Sequence, residues 1–296
     1  MQNSCVAALR LGIMSWIEAI ILGLVQGLTE FLPISSSAHL RIVGDLLGGR
    51  DPGAAFTAIT QIGTEAAVVL YFRHKIWAVI KAWAGALPIG PWKNTVPKSD
   101  PDARMGWYVI FGSIPIVVLG VLLESWIDTN FRHLYITAAM LAGFGILMGV
   151  ADRFSKRTKE LEELNPRDAA IFGFAQALAL VPGVSRSGGT ITAGLFMGYS
   201  RKAAADYSFL LAIPAVMGSG FYKLFKDGLS EDAAVGLGPT LLATVVAFVV
   251  AYFIIVWFLK LIQTHSFMPF VIYRVALAVL VVILVAAGAI HAYPVG

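Results

Sequence analysis

The apolar runs of this chain restrict its fold more than any other feature. Six of them reach the length of about 20 residues that a helix needs to cross a bilayer; they lie at about 54–72, 107–123, 134–151, 207–225, 239–260 and 270–290. Hydrophobic residues make up 58% of the 296 positions and charged residues 14%, whereas soluble domains contain about 25% charged residues. The sequence therefore predicts an all-α integral membrane protein with six transmembrane helices.

Composition also narrows the function classes. The single cysteine, Cys5, allows neither an intrachain disulfide nor a metal cluster held by cysteines. The net charge of +4 is weak support for nucleic-acid binding and is better explained by membrane orientation. We therefore expect the membrane as a partner and no nucleic acid.

Two more apolar segments, about 16–47 and 168–199, are interrupted by proline, glycine and serine. Each is too polar in its middle for a simple span. Broken backbone at membrane depth is tolerated only inside protein or beside a water-filled cavity. The pattern predicts two re-entrant helix–loop–helix segments, each of which enters and leaves on one side. Residues 76–88 are typical of an interfacial helix.

The two broken segments resemble each other. With a shift of 150 residues and no gap, nine positions between 19 and 48 are identical. Each half then contains one re-entrant segment and three spans, so the second half enters the membrane from the opposite side. The sequence predicts an inverted-topology repeat within a single membrane domain of residues 1–296, with repeat 1 at about 16–151 and repeat 2 at about 168–290.

The distribution of basic residues predicts the orientation. Of the 22 Lys and Arg residues, 15 lie on the face that contains loops 73–106, 152–168, 201–206 and 260–274. Cytoplasmic loops carry the excess of such residues, so this face is expected to be cytoplasmic and both termini to lie outside. The first re-entrant segment would then enter from the external face, and a site at the breaks would open outward.

The second break, "PGVSRSGGT" at 182–190, has the composition of a phosphate site. Glycines permit positive φ angles and close backbone approach, and successive amides at a helix start form a nest for an anion. Arg186 adds a planar fork suited to phosphate oxygens. The alternative is an arginine that pairs with a carboxylate for structure alone. The residues predicted to bind phosphate are Gly183, Ser185, Ser187, Gly188 and Thr190, with Arg186.

The first break, "GLTEFLPISSSAHL" at 27–40, offers reactive groups. Pro33 ends a helix, and the serines after it suit the N-cap of the next helix. If that helix begins near Ser35, then Ser36 and His39 lie three residues apart on one face. A hydroxyl beside an imidazole is the smallest arrangement that activates a nucleophile. The same histidine can instead protonate a leaving phosphate or act as the nucleophile, and serines that only cap a helix are the simpler alternative.

Carboxylates and amides near this break are candidates for a cation site or for structural pairing. Glu30 can hold a divalent cation or orient His39. Gln26 shares its face and offers only a neutral oxygen or amide. Gln61 and Glu65, inside a span, either line the cavity or pair with a neighbouring helix. Arg201 and Asp206, just after the second break, are expected to form a local brace.

At both breaks the sequence resembles the undecaprenyl-diphosphate phosphatase family, the bacitracin-resistance membrane proteins also called BacA or UppP. The family motif (E/Q)xxxE, followed by Pro-x-Ser-Ser and a histidine, is present as "QGLTEFLPISSSAH", and the motif PGxSRSxxT as "PGVSRSGGT". The resemblance covers nearly the whole chain, including "YSFLLAIPAVMG" and "FMPFVIYR". Gln26 stands where many members have glutamate, which weakens a metal site with two carboxylates, and Ala38 replaces a common glycine.

The resemblance implies an activity and a set of site residues. The activity is removal of the terminal phosphate from undecaprenyl diphosphate in the bacterial inner (plasma) membrane, which regenerates the lipid carrier for cell-wall polymers. A divalent cation, Mg²⁺ or Ca²⁺, is expected as cofactor, and a homodimer is one allowed assembly. The implied catalytic residues are Glu30, Ser36, His39 and Arg186, with Ser36 the favoured nucleophile, Glu30 the candidate metal ligand, and Gln26, Ser35, Ser185 and Thr190 as supporting contacts.

A secondary transporter or flippase for an anionic lipid or phosphate compound is the alternative from another class, because inverted repeats with breaks near the midplane are typical of transporters. A transporter needs only the phosphate nest. The serine and histidine opposite that nest favour an enzyme.

Overall fold

The structure is a computed structural model that describes residues 14–48, 51–131, 133–228 and 236–293. In these residues the chain is all-helical, and its only β pairing is an isolated bridge between Lys159 and Tyr199. The eleven α-helices are α1 (Trp16–Thr29), α2 (Ser36–Gly48), α3 (Gly53–Tyr71), α4 (Arg73–Ala86), α5 (Pro101–Asn130), α6 (Leu134–Phe154), α7 (Pro166–Ala177), α8 (Arg186–Phe196), α9 (Arg201–Lys223), α10 (Leu237–Thr264) and α11 (Met268–Ala286).

Six of these helices, α3, α5, α6, α9, α10 and α11, are long and apolar enough to cross a membrane. They coincide with the six predicted spans, and the all-α membrane fold is confirmed. Large apolar side chains such as Val121, Leu122 and Phe253 stay exposed on their outer faces, as expected for helices surrounded by lipid. The predicted interfacial helix corresponds to α4. Cys5, the chain termini and the basic residues Arg10, Arg50 and Arg132 lie outside the described residues.

The two polar segments fold as helix–break–helix units. α1 ends at Thr29 and α2 begins at Ser36, while α7 ends at Ala177, a short 3₁₀ turn covers Leu178–Leu180, and α8 begins at Arg186. The breaks therefore lie where the sequence places them. The re-entrant path of these units and the inverted orientation of the two repeats stay predictions.

Helices from the first half of the chain pack against helices from the second half. α10 lies against both α1 and α3, while α5 lies against α7, and α6 pairs with α11. Small residues allow these close contacts, as is common between helices in membranes. A Cβ placed on Gly23 would lie 2.6 Å from the backbone oxygen of Ala243. The two halves of the chain therefore form one packed body.

The expected brace between Arg201 and Asp206 is wrong. Arg201 instead forms a two-pronged pair with Asp152 of α6, at 2.6 and 3.1 Å, and Asp206 pairs with Lys202. Asp152 also accepts a hydrogen bond from the backbone of Phe267. One carboxylate thus ties the end of α6 to the starts of α9 and α11, a tertiary contact that local spacing does not reveal.

The contact at Gly23 gives a test of the packing. Gly23→Ala is expected to destabilise the protein by about 1–3 kcal/mol, because the added methyl group must push α1 away from α10. Gly143→Ala is the matched control, since nothing lies within 4 Å of a Cβ there and alanine favours a helix by up to about 1 kcal/mol. Thermal unfolding in detergent measures both. Equal melting temperatures for the two variants would contradict the described helix contact.

Candidate active site

Both breaks end in the same local geometry. Ser35 and Ser185 have positive φ angles of 72° and 69°, a conformation that non-glycine residues rarely adopt. In each break the serine hydroxyl lies 3.2 Å from the hydroxyl of the serine two residues later. The Ser185 hydroxyl also caps α8 by accepting from the amide of Gly188 at 3.2 Å. Each of these serines directly precedes a helix: Ser35 precedes α2, which begins at Ser36, and Ser185 precedes α8, which begins at Arg186.

Glu30 is the centre of the site. Its carboxylate is buried, with the residue 8% exposed, and it accepts hydrogen bonds from the Ser36 hydroxyl at 2.6 Å and from the Gln26 amide at 2.7 Å. Gln61 Nε2 lies 3.3 and 3.4 Å from its two oxygens. The Arg186 guanidinium forms an ion pair with Oε1. Side chains of four helices, α1, α2, α3 and α8, therefore meet at one carboxylate.

Ser36 and His39 share a face of α2 but have different partners. The Ser36 hydroxyl donates to Glu30, so the expected pairing of this hydroxyl with the imidazole is replaced by pairing with a carboxylate. His39 Nδ1 lies 2.7 Å from the Ser35 carbonyl, and Nε2 lies 2.7 Å from the Tyr273 hydroxyl. A carbonyl only accepts, so Nδ1 carries the proton and, in the neutral ring, Nε2 accepts from tyrosine.

Arg186 points from the second break into the first. Its carboxylate partner is Glu30. The arginine–carboxylate pair, which the sequence offers as an alternative to a phosphate site, is therefore present, and it lies within the predicted site. Ser187 donates to the Leu32 carbonyl at 3.3 Å and adds a second contact between the breaks. The Thr190 hydroxyl is directed elsewhere: it donates to the Arg186 carbonyl at 2.7 Å and lies 2.5 Å from Ser208. The binding of phosphate by these groups stays a prediction.

The glycines of the second break contribute in two ways. Gly183 has a positive φ of 97°, as glycine permits. Gly188 is helical, and its missing side chain leaves room for a guanidinium, since a Cβ there would lie 2.7 Å from Arg274 Nη1. The residues with positive φ at the breaks are therefore Gly183, Ser35 and Ser185. Gly188 and Gly189, whose positive φ the sequence also allows, are helical.

Arg274 holds the two breaks together. It is fully buried and donates to five backbone carbonyls: Pro33 of the first break at 2.9 Å, Gly183 and Val184 of the second at 2.8 and 3.0 Å, and Met140 and Leu141 of α6 at 3.3 and 3.0 Å. The carbonyls of Pro33, Gly183 and Val184 lie outside the helices, and leaving them unpaired inside the protein costs free energy. The basic-residue count assigns Arg274 to the cytoplasmic loop 260–274. The structure corrects this assignment, because Arg274 lies inside α11 and is fully buried.

Two more residues of the site carry no motif. Gln61 approaches Glu30 from α3, and Tyr273 approaches His39 from α11 with its ring stacked on the imidazole at 5.6 Å. The sequence left Gln61 open between lining the cavity and pairing with a helix. Tyr273 carried no sequence signal except its place in "FMPFVIYR", beside Arg274.

A cavity of about 290 Å³ reaches Gln61, the residue that approaches Glu30 from α3, and its volume is close to the lower limit of ligand pockets in proteins, about 300 Å³. It is lined by Ser37, Arg41, Gln61, Thr137, Pro182 and Lys223, among others. Residues of both breaks and of both halves of the chain contribute to its wall. Its walls are largely apolar, and the charged residues among them include Arg41 and Asp51, which pair at 3.6 Å.

Oxygen donors near Glu30 fit a hard cation. Among the described residues no group of three His, Cys, Asp or Glu side chains could hold a metal by itself. Glu65, however, lines a small cavity together with Glu30, and its Oε1 is buried without a hydrogen bond. Mg²⁺ typically binds through one or two carboxylates plus substrate phosphates and water. The donor set therefore fits a cation that is completed by substrate oxygens.

Comparison with known proteins identifies relatives along almost the whole chain. The family model described as bacitracin resistance protein BacA matches residues 19–280. An undecaprenyl-diphosphatase of Micrococcus luteus is 59% identical over 282 residues, which cover 94% of this chain and 100% of the relative. Undecaprenyl-diphosphatase 2 of Agrobacterium fabrum is 57% identical over 281 residues, covering 94% of this chain and 99% of the relative. Undecaprenyl-diphosphatase 2 of Streptomyces coelicolor is 56% identical over 287 residues, covering 93% and 96%.

Arg274→Lys tests the role of the buried guanidinium. A lysine has one nitrogen and cannot reach carbonyls on three segments, and a lost bond from a charged donor costs about 1.5–3 kcal/mol. We expect a loss of at least about 3 kcal/mol, measured as a lower melting temperature in detergent. Arg153→Lys, at an exposed position, is the control. A melting temperature equal to that of the control would show that Arg274 does not hold the breaks.

Proposed function

Because the chain belongs to the BacA family of bacitracin resistance proteins, we propose that it is an undecaprenyl-diphosphatase of a bacterial plasma membrane. It hydrolyses undecaprenyl diphosphate to undecaprenyl phosphate and inorganic phosphate, the activity in the names of its relatives. The observation that carries the chemistry is the Glu30 carboxylate, which accepts from the Ser36 hydroxyl and pairs with Arg186. Nothing in the described site or in the relatives' names favours a transporter or flippase.

The first step transfers the terminal phosphoryl group to Ser36. The hydroxyl oxygen attacks the terminal phosphorus while its proton moves to Glu30 Oε2, 2.6 Å away. The bond from this phosphorus to the bridging oxygen breaks, and undecaprenyl phosphate leaves with the electron pair. Arg186 moves from Glu30 to the phosphoryl oxygens, where a guanidinium stabilises the charge of the transition state.

The second step hydrolyses phosphoserine. Water attacks the phosphorus, the bond to Ser36 Oγ breaks, and Glu30 returns its proton to the serine oxygen. The proton lost by the water stays on the released phosphate, so atoms and charges balance. His39, predicted as catalytic, fixes the Ser35 carbonyl and is itself held by Tyr273, which supports a role in positioning the residue before the nucleophile.

The expected divalent cation, Mg²⁺ or Ca²⁺, would be held in part by Glu30. When bound, it would neutralise charge on the diphosphate oxygens and act as a Lewis acid. Gln26, Ser185 and Ser187 stay predicted contacts of the substrate phosphates, together with the backbone of Gly183 and Gly188. A homodimer also stays a prediction, which light scattering of the purified protein tests.

The substrate reaches the site laterally from the lipid. The undecaprenyl tail stays in hydrocarbon while the diphosphate enters the cavity of about 290 Å³. Arg41, Ile127 and Lys223 of its wall belong to segments that the basic-residue distribution assigns to the outside. The site accordingly faces outward, and both termini lie on the external face.

Ser36→Ala tests the nucleophile. We expect phosphate release from undecaprenyl diphosphate to fall by about a thousandfold or more, since residual catalysis then comes from binding groups alone. Acid-quenched wild-type protein should carry label from a substrate with ³²P in its terminal phosphate, and the variant should not. Ser155→Ala, far from the breaks in sequence, is the control. Full activity without Ser36 would move the nucleophile to His39 or to water.

Single cysteines test the orientation. In a Cys5→Ser background, Asn130→Cys should react with a membrane-impermeant maleimide in intact cells, and Lys93→Cys only after permeabilisation. Both side chains are exposed, so their reactivity reports the side of the membrane. The reverse labelling pattern would place the site on the cytoplasmic face.

A further inference from the structure

Glu65 is a buried carboxylate that the proposed reaction does not use. It lies inside the apolar helix α3, one turn after Gln61, and is 1% exposed. Its Oε1 makes no hydrogen bond. Glu65 lines a cavity with Glu30, Arg186, Ser187 and Ser208. The cavity encloses about 10 Å³, about the space of one water-sized sphere, which is room for one water molecule or one ion.

The charges around this cavity do not balance. Glu30 and Glu65 are two carboxylates, and the Arg186 guanidinium is the cation that faces them among the residues of the cavity wall. A buried carboxylate without a partner is strongly unfavourable, and an ionisable residue in a membrane span marks a functional site by default. The place of Glu65 is therefore explained if a positively charged ligand occupies the cavity.

We propose that Glu65 and Glu30 together hold the divalent cation of this enzyme, with Glu65 supplying the second carboxylate that Gln26 does not. Carboxylate and hydroxyl oxygens are the ligands of hard cations such as Mg²⁺, Mn²⁺ and Ca²⁺. Water and diphosphate oxygens complete the coordination. This inference rests on the proposed function for its substrate, but the two carboxylates are a property of the protein alone.

The guanidinium and the cation compete for the same carboxylate. Arg186 pairs with Glu30 Oε1 in the described structure, so a cation on Glu30 must share or displace that contact. Transfer of Arg186 to the substrate phosphates frees the carboxylate oxygen for the cation. Loss of Arg186 should therefore strengthen cation binding while it abolishes turnover. If Arg186 and Glu30 only stabilised the structure together, loss of Arg186 would weaken cation binding instead.

The test is Mn²⁺ binding to purified protein in detergent without substrate, followed by the electron paramagnetic resonance signal of free Mn²⁺. Glu65→Gln should raise the dissociation constant by at least about tenfold, because loss of even an outer-shell partner of a metal costs about 10–100-fold. Gln26→Glu in the Glu65→Gln background should restore most of the affinity, since residue 26 already contacts Glu30. Glu162→Gln, at an exposed position, is the control.

The same titration on Arg186→Gln, with and without Glu65→Gln, keeps the test decisive if the wild type binds too weakly to measure. Tighter binding to Arg186→Gln that is lost on adding Glu65→Gln supports the proposal. Equal dissociation constants with and without Glu65 overturn it and indicate that Glu65 holds a proton. An affinity loss that Gln26→Glu leaves uncorrected also overturns it. Phosphate release by the wild type, assayed separately, tests the proposed function independently of these outcomes.

Discussion

The buried guanidinium of Arg274 is the contact on which the rest of the site depends. The two breaks leave buried carbonyls without helical partners, and the carbonyls of Pro33, Gly183 and Val184 all accept hydrogen bonds from this one side chain. Water is scarce in such an interior, so these hydrogen bonds carry more weight than they would at a surface. With the breaks joined, Glu30 lies where both helix starts can reach it. The chemistry therefore rests on a residue that touches no reacting atom.

Much of the fold could be predicted because apolar length is a direct physical requirement of a bilayer. All six spans were found, and the ends of α3 and α6 fall within a few residues of the predicted ones. α5 is much longer than its predicted span, 107–123. Hydropathy detects only the apolar part of a helix, so the polar ends of α5, which are also helical, are missed. Its first turn is capped by Asp100, whose carboxylate accepts from the amides of Asp102 and Ala103, and Pro101 suits the first helical position.

The site could be predicted only where its residues lie in the two breaks. Ser36 and Arg186 carry recognisable motifs, yet the choice of Glu30 over His39 as the partner of Ser36 depends on how α1 and α2 fold against each other. Gln61 and Tyr273 come from spans that are distant in sequence, where one polar residue has several equally plausible explanations. The positive φ of the two serines could not be predicted either, because a serine, unlike a glycine, does not indicate a left-handed conformation.

A shift of 150 residues makes Ser36 and Arg186 equivalent positions, each the first residue of the helix after a left-handed serine. Two copies of an identical half would bring the same side chain to the centre twice, either two hydroxyls or two guanidiniums. Neither set combines an attacking group with a cation that receives the phosphate. Joining both halves in a single polypeptide removes this restriction. One substitution at one of the paired positions then gives one half the attacking hydroxyl and the other half the guanidinium.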